Sequence, residues 1–179
     1  MNYCSNCGKP VVVRVPEGDT LPRYVCDHCE AIHYQNPKIV AGCIPEWQGK
    51  ILLCKRAIEP QLGKWTLPAG FMENGETVQE AAARETMEEA LARVEDLELF
   101  GMFNIPHVNQ VYVMFRARMP EREFAPGPES LSCELVAEDQ IPWSELAFPV
   151  VERTLRLYLD DRSGSGFRIH TADIAPRRS

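Results

Sequence analysis

The 179-residue sequence has no long apolar run and comparatively little positive charge. No stretch of about 18 consecutive apolar residues is present, so we expect no membrane-spanning helix and no membrane partner. The N-terminal segment MNYCSNCGKP lacks the charged and then apolar pattern of a secretory leader, and we therefore expect a cytoplasmic protein. With 19 Lys and Arg against 26 Asp and Glu, the net charge is -7. Such a chain is not expected to bind nucleic acid, and an anionic ligand would need a local cation.

Cysteine, in contrast, is well represented, with seven residues. Four of them form two CxxC pairs: Cys4, Cys7, Cys26 and Cys29. Two such pairs at this separation are typical of a structural zinc ribbon, in which four thiolates close a tetrahedral site. A pair of disulfides is the alternative, which the odd number of cysteines and the absence of a leader disfavour. The other three, Cys43, Cys54 and Cys133, lie in apolar surroundings and are interpreted as core residues.

Composition divides the chain into three segments. Residues 1–34 form the predicted ribbon, residues 35–161 the main domain, and residues 162–179, with SGSG and PRRS, a mobile tail. The apolar runs IVAGCI and ILLCKR predict a hairpin, QLGKWTLPAG a loop, and LELFGMFNI and QVYVMFRARM two further strands. A helix is predicted near Thr77 and an amphipathic helix over FPVVERTLRLYLDD. Strands flanked by helices without strict alternation predict a mixed sheet between helices.

The first helix has the start signal of a capping box. Thr77 is the predicted N-cap, with Glu80 three residues later as its partner. At about 100° per residue, a cluster of glutamates falls on one face of this helix. Ala81 and Ala82 share that face and would leave room for a bulky ligand. The apolar residues Met87, Leu91 and Val94 are predicted to point the other way, toward a core.

The clustered glutamates, Glu85, Glu88 and Glu89, place three carboxylates close together. Two like charges about 4 Å apart repel by about 4 kcal/mol at an effective dielectric constant near 20. Arg84 can brace Glu88, four residues later, but one guanidinium does not neutralise three carboxylates. A divalent cation does, and hard oxygen ligands favour Mg²⁺ or Mn²⁺. A solvated acidic helix face is the alternative interpretation of the cluster alone.

The wider spacing resembles the box of the Nudix diphosphate hydrolases, whose pattern is G-x5-E-x7-R-E-U-x-E-E-x-G-U, with U an aliphatic residue. The residues that match are Gly70, Glu76, Arg84, Glu85, Glu88 and Glu89. Three positions depart from the pattern: Thr86 and Ala92 replace aliphatic residues, and Leu91 replaces the glycine that ends the helix. These departures concern packing and helix termination and not the ligands.

The resemblance extends to the Nudix subgroup with an N-terminal zinc ribbon, through CSNCGKP, RYVCDHC, LAFPVVERTLRLYL and the segment before the box. Chloroplast-targeted plant relatives of this subgroup hydrolyse FAD and ADP-ribose. The resemblance implies an α/β/α sandwich around a mixed sheet. It also implies metal-dependent hydrolysis of the diphosphate linkage in a nucleoside diphosphate derivative, most of all ADP-ribose or FAD. Nudix proteins of this size are often dimers, and a homodimer is expected.

The resemblance also implies roles for individual residues. Glu85, Glu88 and Glu89 would hold Mg²⁺ or Mn²⁺, with the Gly70 carbonyl as a further ligand. Arg84 would orient a glutamate and Glu76 would support the loop before the helix. Either Glu89 or the downstream loop residue Glu129, in PGPES, would act as the general base.

Substrate contacts are less well specified by the sequence. Lys55 and Arg56 lie at a strand end and could contact phosphate, or could simply be solvated. Trp65 could stack on a base or flavin ring, or pack in the core. A second zinc-ribbon Nudix group, which hydrolyses NADH, carries a SQPWPFP-type array after the box, and no such array is present here. A non-catalytic nucleotide-sensing regulator with a Nudix fold is the alternative of a different class.

Overall fold

The computed structural model describes residues 1–164 and 166–176. The chain divides into two compact units, Met1–Pro37 and Lys38–Ser179, close to the predicted boundary after residue 34. Each unit has its own β-sheet. Within the described residues, no helix is both long enough and apolar enough to cross a membrane.

The first unit is a small antiparallel sheet. Its strands are β1 (Val12–Arg14), β2 (Arg23–Val25) and β3 (Ile32–His33), in the order β1-β2-β3. Few of residues 1–37 are buried: Cys4, Pro16, Val25 and Cys26. A unit of this size cannot build a sufficient apolar core, and units below about 40 residues usually need a metal or disulfides. Two of its buried residues are cysteines of the CxxC pairs.

The second unit contains one mixed sheet and two α-helices. In chain order the elements are β4 (Lys38–Trp47), β5 (Lys50–Arg56), β6 (Trp65–Thr66), β7 (Ala69–Phe71), α1 (Val78–Ala90), β8 (Glu95–Ile105), β9 (Gln110–Arg118), β10 (Ser130–Val136), α2 (Pro149–Ser163) and β11 (His170–Asp173). Over the described residues the strand order is β10-β5-β4-β9-β8-β11, with β6 beside β5 and β7 beside β4. Strands β4 and β9 are parallel, as are β8 and β11, and the remaining pairs are antiparallel.

The two helices cover opposite faces of the sheet. Because successive residues of a strand point to opposite faces, β4 serves both layers. Cys43 packs in a buried cluster with Ala82 of α1. Its neighbour Ile44 packs in the main core cluster with Leu155 of α2. The predicted α/β/α sandwich around a mixed sheet is therefore confirmed.

The capping box predicted at the start of α1 is confirmed. The Thr77 hydroxyl accepts a hydrogen bond from the Glu80 backbone N–H at 3.2 Å, and the Glu80 carboxylate accepts one from the Thr77 N–H at 2.7 Å. These two bonds satisfy backbone donors that the helix itself leaves unpaired. They fix the first turn of α1, and therefore the direction in which the face with Glu85, Glu88 and Glu89 points.

The end of α1 carries backbone strain. Leu91 is the C-cap residue and has the left-handed conformation, with φ 46° and ψ 32°. Glycine normally occupies such a position because a Cβ is unfavourable there. The departure from the box pattern at Leu91 therefore alters the energy of the helix end without altering its geometry.

Replacing Leu91 by glycine is expected to raise the free energy of unfolding by about 0.5 to 1 kcal/mol, because it removes this strain and Leu91 is 49% exposed. Urea unfolding followed by circular dichroism measures the change. Leu91→Ala is the matched control, since it shortens the side chain and retains the strained Cβ. A glycine variant no more stable than the alanine variant would contradict the strain argument.

The buried face of α1 differs from the prediction. Ala81 and Ala82 are fully buried against the sheet, whereas Met87 is 39% and Leu91 49% exposed. The prediction that Met87 and Leu91 point into the core is wrong, and so is the open space assigned to the two alanines. The small side chains let the helix pack closely on β4 and β9. Val94, just after the helix, does pack against the core as predicted.

The C-terminal segment also corrects a prediction. Arg162 and Ser163 belong to α2, and β11 pairs in parallel with β8. The Asp161 carboxylate accepts hydrogen bonds from the Arg168 backbone N–H at 3.0 Å and lies 2.7 Å from Nε2 of the buried His170. The tail predicted to be mobile from residue 162 is thus part of the sheet over residues 170–173. Residues 165 and 177–179 lie outside the described residues.

Candidate functional site

The second unit has a large cleft, of about 1110 Å³. This is slightly above the range of about 300–1,000 Å³ for ordinary ligand pockets, so it can hold a ligand with two nucleoside-sized halves. One wall is acidic and comes from α1 and the loops that flank it. The opposite wall of the cleft is largely apolar and includes Ile58, Phe148 and Val150. The residues that line the cleft include Arg56, Ile58, Gly70, Glu85, Glu88, Glu89, Glu129 and Phe148.

The three box glutamates stand on the same wall with different exposures. The side chain of Glu88 is 58% exposed, that of Glu85 is 12% exposed, and Glu89 is buried, with 6% of the residue exposed. The predicted arc of three carboxylates is therefore present, graded from solvent to the interior. A cation held there would meet one hydrated and two largely desolvated ligands.

Arg84 organises the acidic wall. Its guanidinium donates to Glu76 at 2.8 and 3.0 Å, to Glu85 at 2.8 Å, to Glu88 at 2.9 Å and to the carbonyl of Phe71 at 3.0 Å. Chiefly because of Arg84, the pKa of Glu76 falls to about 2. The Glu76 carboxylate also accepts from the Glu73 backbone N–H at 2.6 Å, which ties the loop before α1 to the helix.

Burial disfavours the ionised form of two carboxylates on this wall. Burial raises the pKa of Glu89 to about 8, and repulsion from Glu85 adds to the effect. Burial also raises the pKa of Glu85, despite its contact with Arg84. Arg56 and a backbone hydrogen bond from Ala69 act in the opposite direction on Glu89 but do not offset its burial. A divalent cation would supply the missing positive charge.

Gly70 lies in strand β7, whereas the sequence predicts a loop at this position. Strand β7 pairs with β4, with Gly70 opposite Ala41. A Cβ on Gly70 would overlap the carboxylate of Glu85, so any other residue here would displace that carboxylate. The same packing brings the Gly70 backbone beside a box carboxylate.

Glu129 enters the cleft on a loop that is docked against the end of α1. The Ala125 and Gly127 backbone N–H groups donate to the carbonyls of Ala90 and Glu89, at 2.9 and 3.0 Å. A Cβ on Gly127 would overlap the carbonyl oxygen of Glu88. Beyond this contact, Glu129 is exposed and lies close enough to add to the raised pKa of Glu89. The predicted base candidate is thus in the cleft.

Of the three predicted substrate contacts, Lys55, Arg56 and Trp65, only Arg56 lines the cleft. Arg56 lines the cleft, where its guanidinium stacks 5.1 Å from the Phe148 ring centroid. Lys55 is not a lining residue, because adjacent strand residues point to opposite faces and its ammonium lies 5.6 Å from the Trp65 ring centroid. Trp65 is 8% exposed and belongs to the core cluster. Lys55 and Trp65 therefore do not face the cleft.

The apolar lining of the cleft is not predicted by the sequence. Phe148 and Ile58 come from loops far apart in sequence, and neither belongs to the box. Phe148 directly precedes α2 as its N-cap residue, and Ile58 follows β5. No local pattern distinguishes such residues from ordinary packing residues, because only the fold brings the two loops together.

The acidic wall fits a hard divalent cation by its chemistry. Its donors are carboxylate and carbonyl oxygens, the ligands that Mg²⁺ and Mn²⁺ prefer. Within the part of the chain that the structure describes, the four ribbon cysteines form the only group of three or more His, Cys, Asp or Glu residues whose ligand atoms lie within 4.8 Å of one another. Glu85 and Glu88 are instead held on the same nitrogen of Arg84. The burial of Glu85 and Glu89, which disfavours their ionised forms when no metal is bound, is the feature that favours a cation.

The four ribbon thiols converge as a zinc site requires. The sulfur atoms of Cys4 and Cys29 are 3.6 Å apart, those of Cys7 and Cys26 are 3.5 Å apart, and all four lie within 4.8 Å of one another. A tetrahedral site with zinc–sulfur bonds of about 2.3 Å has sulfur atoms about 3.8 Å apart. His33 Nε2 lies 3.2 Å from the Cys4 sulfur, where it can donate a hydrogen bond to a thiolate. All four are free thiols, so the alternative of two disulfides is not supported.

Comparison with known proteins decides the family. The NUDIX domain model matches residues 36–158. The chain belongs to the Nudix family. A second family model, that of the Nudix N-terminal zinc ribbon, matches residues 2–35 of this Nudix chain. The predicted Nudix domain with an N-terminal ribbon is therefore confirmed.

Three similar proteins give the family assignment more detail. A crystal structure of a NUDIX hydrolase from Nitrosomonas europaea is 54% identical, with a TM-score of 0.94, over 97% of this Nudix chain and 99% of that one. An ADP-ribose pyrophosphatase from Methanocaldococcus jannaschii is 31% identical over 73% of this chain and 78% of its own length. The NAD-capped RNA hydrolase NudC of Photorhabdus laumondii is 31% identical over 78% of this chain. The chain spans about half the length of the NudC relatives that it matches.

Proposed function

We propose that this chain hydrolyses the diphosphate linkage of a nucleoside diphosphate derivative, with ADP-ribose and FAD as the substrates. The products are AMP and the phosphorylated remainder of the substrate. The observation that carries the proposal is the position of Glu85, Glu88 and Glu89 on one wall of a cleft that also contains Arg56. ADP-ribose is supported by the Methanocaldococcus relative, and FAD by the resemblance to the plant subgroup.

The residues of the cleft have different roles in this reaction. Mg²⁺ or Mn²⁺ on Glu85, Glu88, Glu89 and the Gly70 carbonyl would neutralise the diphosphate and lower the pKa of an attacking water. Arg84 holds the carboxylates in place through its contacts with Glu85 and Glu88.

Two further residues act on the substrate and the water. Arg56 is the cation that faces the diphosphate across the cleft. Glu129 accepts the proton of the attacking water, since it is exposed in the cleft and close to Glu89. Glu89 is the other candidate for the base, since burial raises its pKa to about 8 and a general base works best with a pKa near the working pH.

A dinucleotide such as NADH, or the NAD end of a capped RNA, is the second candidate substrate. The NudC relatives favour it by their names and their similarity over most of this chain. The absence of a SQPWPFP-type array disfavours it. The expectation that nucleic acid is not a partner depends on the same choice and stays a prediction.

A substrate panel tests the proposal and its alternatives together. The full chain is incubated with Mg²⁺ or Mn²⁺ and with ADP-ribose, FAD, NADH and NAD-capped RNA, and kcat/KM is compared. We expect the highest values for ADP-ribose or FAD. Highest kcat/KM for NADH or capped RNA would favour the second candidate, and no turnover of any compound would favour a non-catalytic regulator. The predicted homodimer is tested by light scattering of the same preparation.

A further inference from the structure

Two cysteines outside the ribbon lie directly opposite each other on neighbouring strands. Cys54 of β5 is paired in register with Cys133 of β10 in an antiparallel ladder. Their sulfur atoms are 3.6 Å apart. Opposite residues of such a ladder have Cα atoms about 4.5 to 5.5 Å apart, which lies within the range of about 4.4 to 6.8 Å spanned by disulfides. The backbone therefore already has the spacing that a disulfide needs.

The two thiols differ in accessibility in a way that suits stepwise oxidation. Cys54 is fully buried, in a cluster with Leu52 and Ala90. Cys133 packs against the same cluster and is half-buried. A small oxidant thus reaches Cys133 first, and Cys54 is in place as the second sulfur.

Neither cysteine lines the cleft, but the pair is close to two residues that do, Glu89 and Arg56. The Cys133 sulfur lies 3.6 Å from the backbone carbonyl of Glu89. Cys54 precedes Arg56 by two residues on β5. A disulfide bond of about 2.05 Å would draw the two sulfurs together and remove the thiol from the Glu89 carbonyl. Oxidation would therefore disturb both the last turn of α1 and the strand end that carries Arg56.

We propose that Cys54 and Cys133 form a reversible disulfide, made by peroxide, that lowers turnover at the adjacent cleft. The effect on turnover rests on the proposed function, whereas formation of the disulfide does not. The Cys133 sulfur attacks the peroxide oxygen–oxygen bond, giving a sulfenic acid and one water. The Cys54 sulfur then attacks the sulfenic sulfur, and a second water leaves as the disulfide forms. Two thiols and one peroxide thus give one disulfide and two waters, and a reductant restores the thiols.

Peptide mapping tests the bond directly. Trypsin separates the two cysteines into peptides 51–55 and 123–153, neither of which contains a ribbon cysteine. After treatment of the zinc-loaded full chain with stoichiometric hydrogen peroxide, a non-reducing digest is expected to contain these peptides linked, two hydrogen masses below their sum. The reductant TCEP is expected to separate them. Turnover of ADP-ribose is expected to fall by about tenfold and to recover on reduction.

Two variants make the test specific. Cys133→Ser is expected to remove the linked species and the peroxide-dependent loss of turnover. Cys43→Ser is the matched control, because Cys43 is also buried but hydrogen-bonds to the Ala82 carbonyl, and it should leave the linkage unchanged. Absence of the linked peptides in the parent would overturn the disulfide. Linked peptides with unchanged turnover would overturn its coupling to the cleft, and a chain without any turnover would still reveal the linkage.

Discussion

Glu88→Gln is expected to lower kcat/KM for the preferred substrate by about 10³-fold, because it removes a charged oxygen ligand from the proposed metal site. The side chain is 58% exposed, so the free energy of unfolding should change by no more than about 0.5 kcal/mol. Steady-state kinetics with Mg²⁺ or Mn²⁺ measures the first quantity and urea unfolding the second. Titration with Mn²⁺ should show weaker binding in the same variant.

Two other variants make the Glu88→Gln result interpretable. Glu134→Gln, at an exposed position on β10, should leave both kinetics and Mn²⁺ binding unchanged. Glu129→Gln should lower turnover with Mn²⁺ affinity retained, if it acts as the base and not as a ligand. A Glu88→Gln protein as active as the parent would remove the metal assignment.

Cys26→Ser is expected to abolish zinc binding and to unfold residues 1–37 without unfolding the second unit. Binding of a structural zinc contributes about 10 to 16 kcal/mol in isolated zinc-finger peptides, and this unit has few buried residues to replace it. Metal analysis should fall from about one zinc per chain to none. Hydrogen exchange followed by mass spectrometry should show loss of protection in peptides from residues 1–37 and retained protection in β4 and β9.

The control for zinc is a cysteine of equal burial outside the ribbon. Cys43→Ser should keep one zinc per chain and the protection of residues 1–37, because Cys43 lies in the sheet of the second unit. A Cys26→Ser protein that retains zinc, or a parent that contains none, would show that the four thiols have another role.

Much of the fold and of the acidic wall could be predicted because the signals are local. The capping box of Thr77 and Glu80 and the spacing of Glu85, Glu88 and Glu89 depend on residues within two or three helical turns. The hairpin of β4 and β5 follows from two apolar runs and the turn between them. The CxxC spacing specifies the ribbon in the same way, since each pair provides two ligands from one turn.

Features that depend on long-range packing could not be predicted. Met87 and Leu91 looked like core residues by type, but close approach of α1 to the sheet buried alanines instead. Lys55 and Arg56 are adjacent in sequence, and only the register of β5 shows which of them faces the cleft. β11 is short, and its place beside β8 is supported by the contact of Asp161 with His170.

The close packing of Gly127 on α1 bears on how the substrate range of this enzyme can be altered. Any side chain at position 127 would displace the Glu88 backbone. The loop that carries Glu129 and the helix α1 therefore tolerate few substitutions where they meet. The residues around Ile58 are exposed and line the other side of the cleft. Laboratory evolution toward a different leaving group should therefore accumulate its substitutions there, while the hydrolytic machinery stays unchanged.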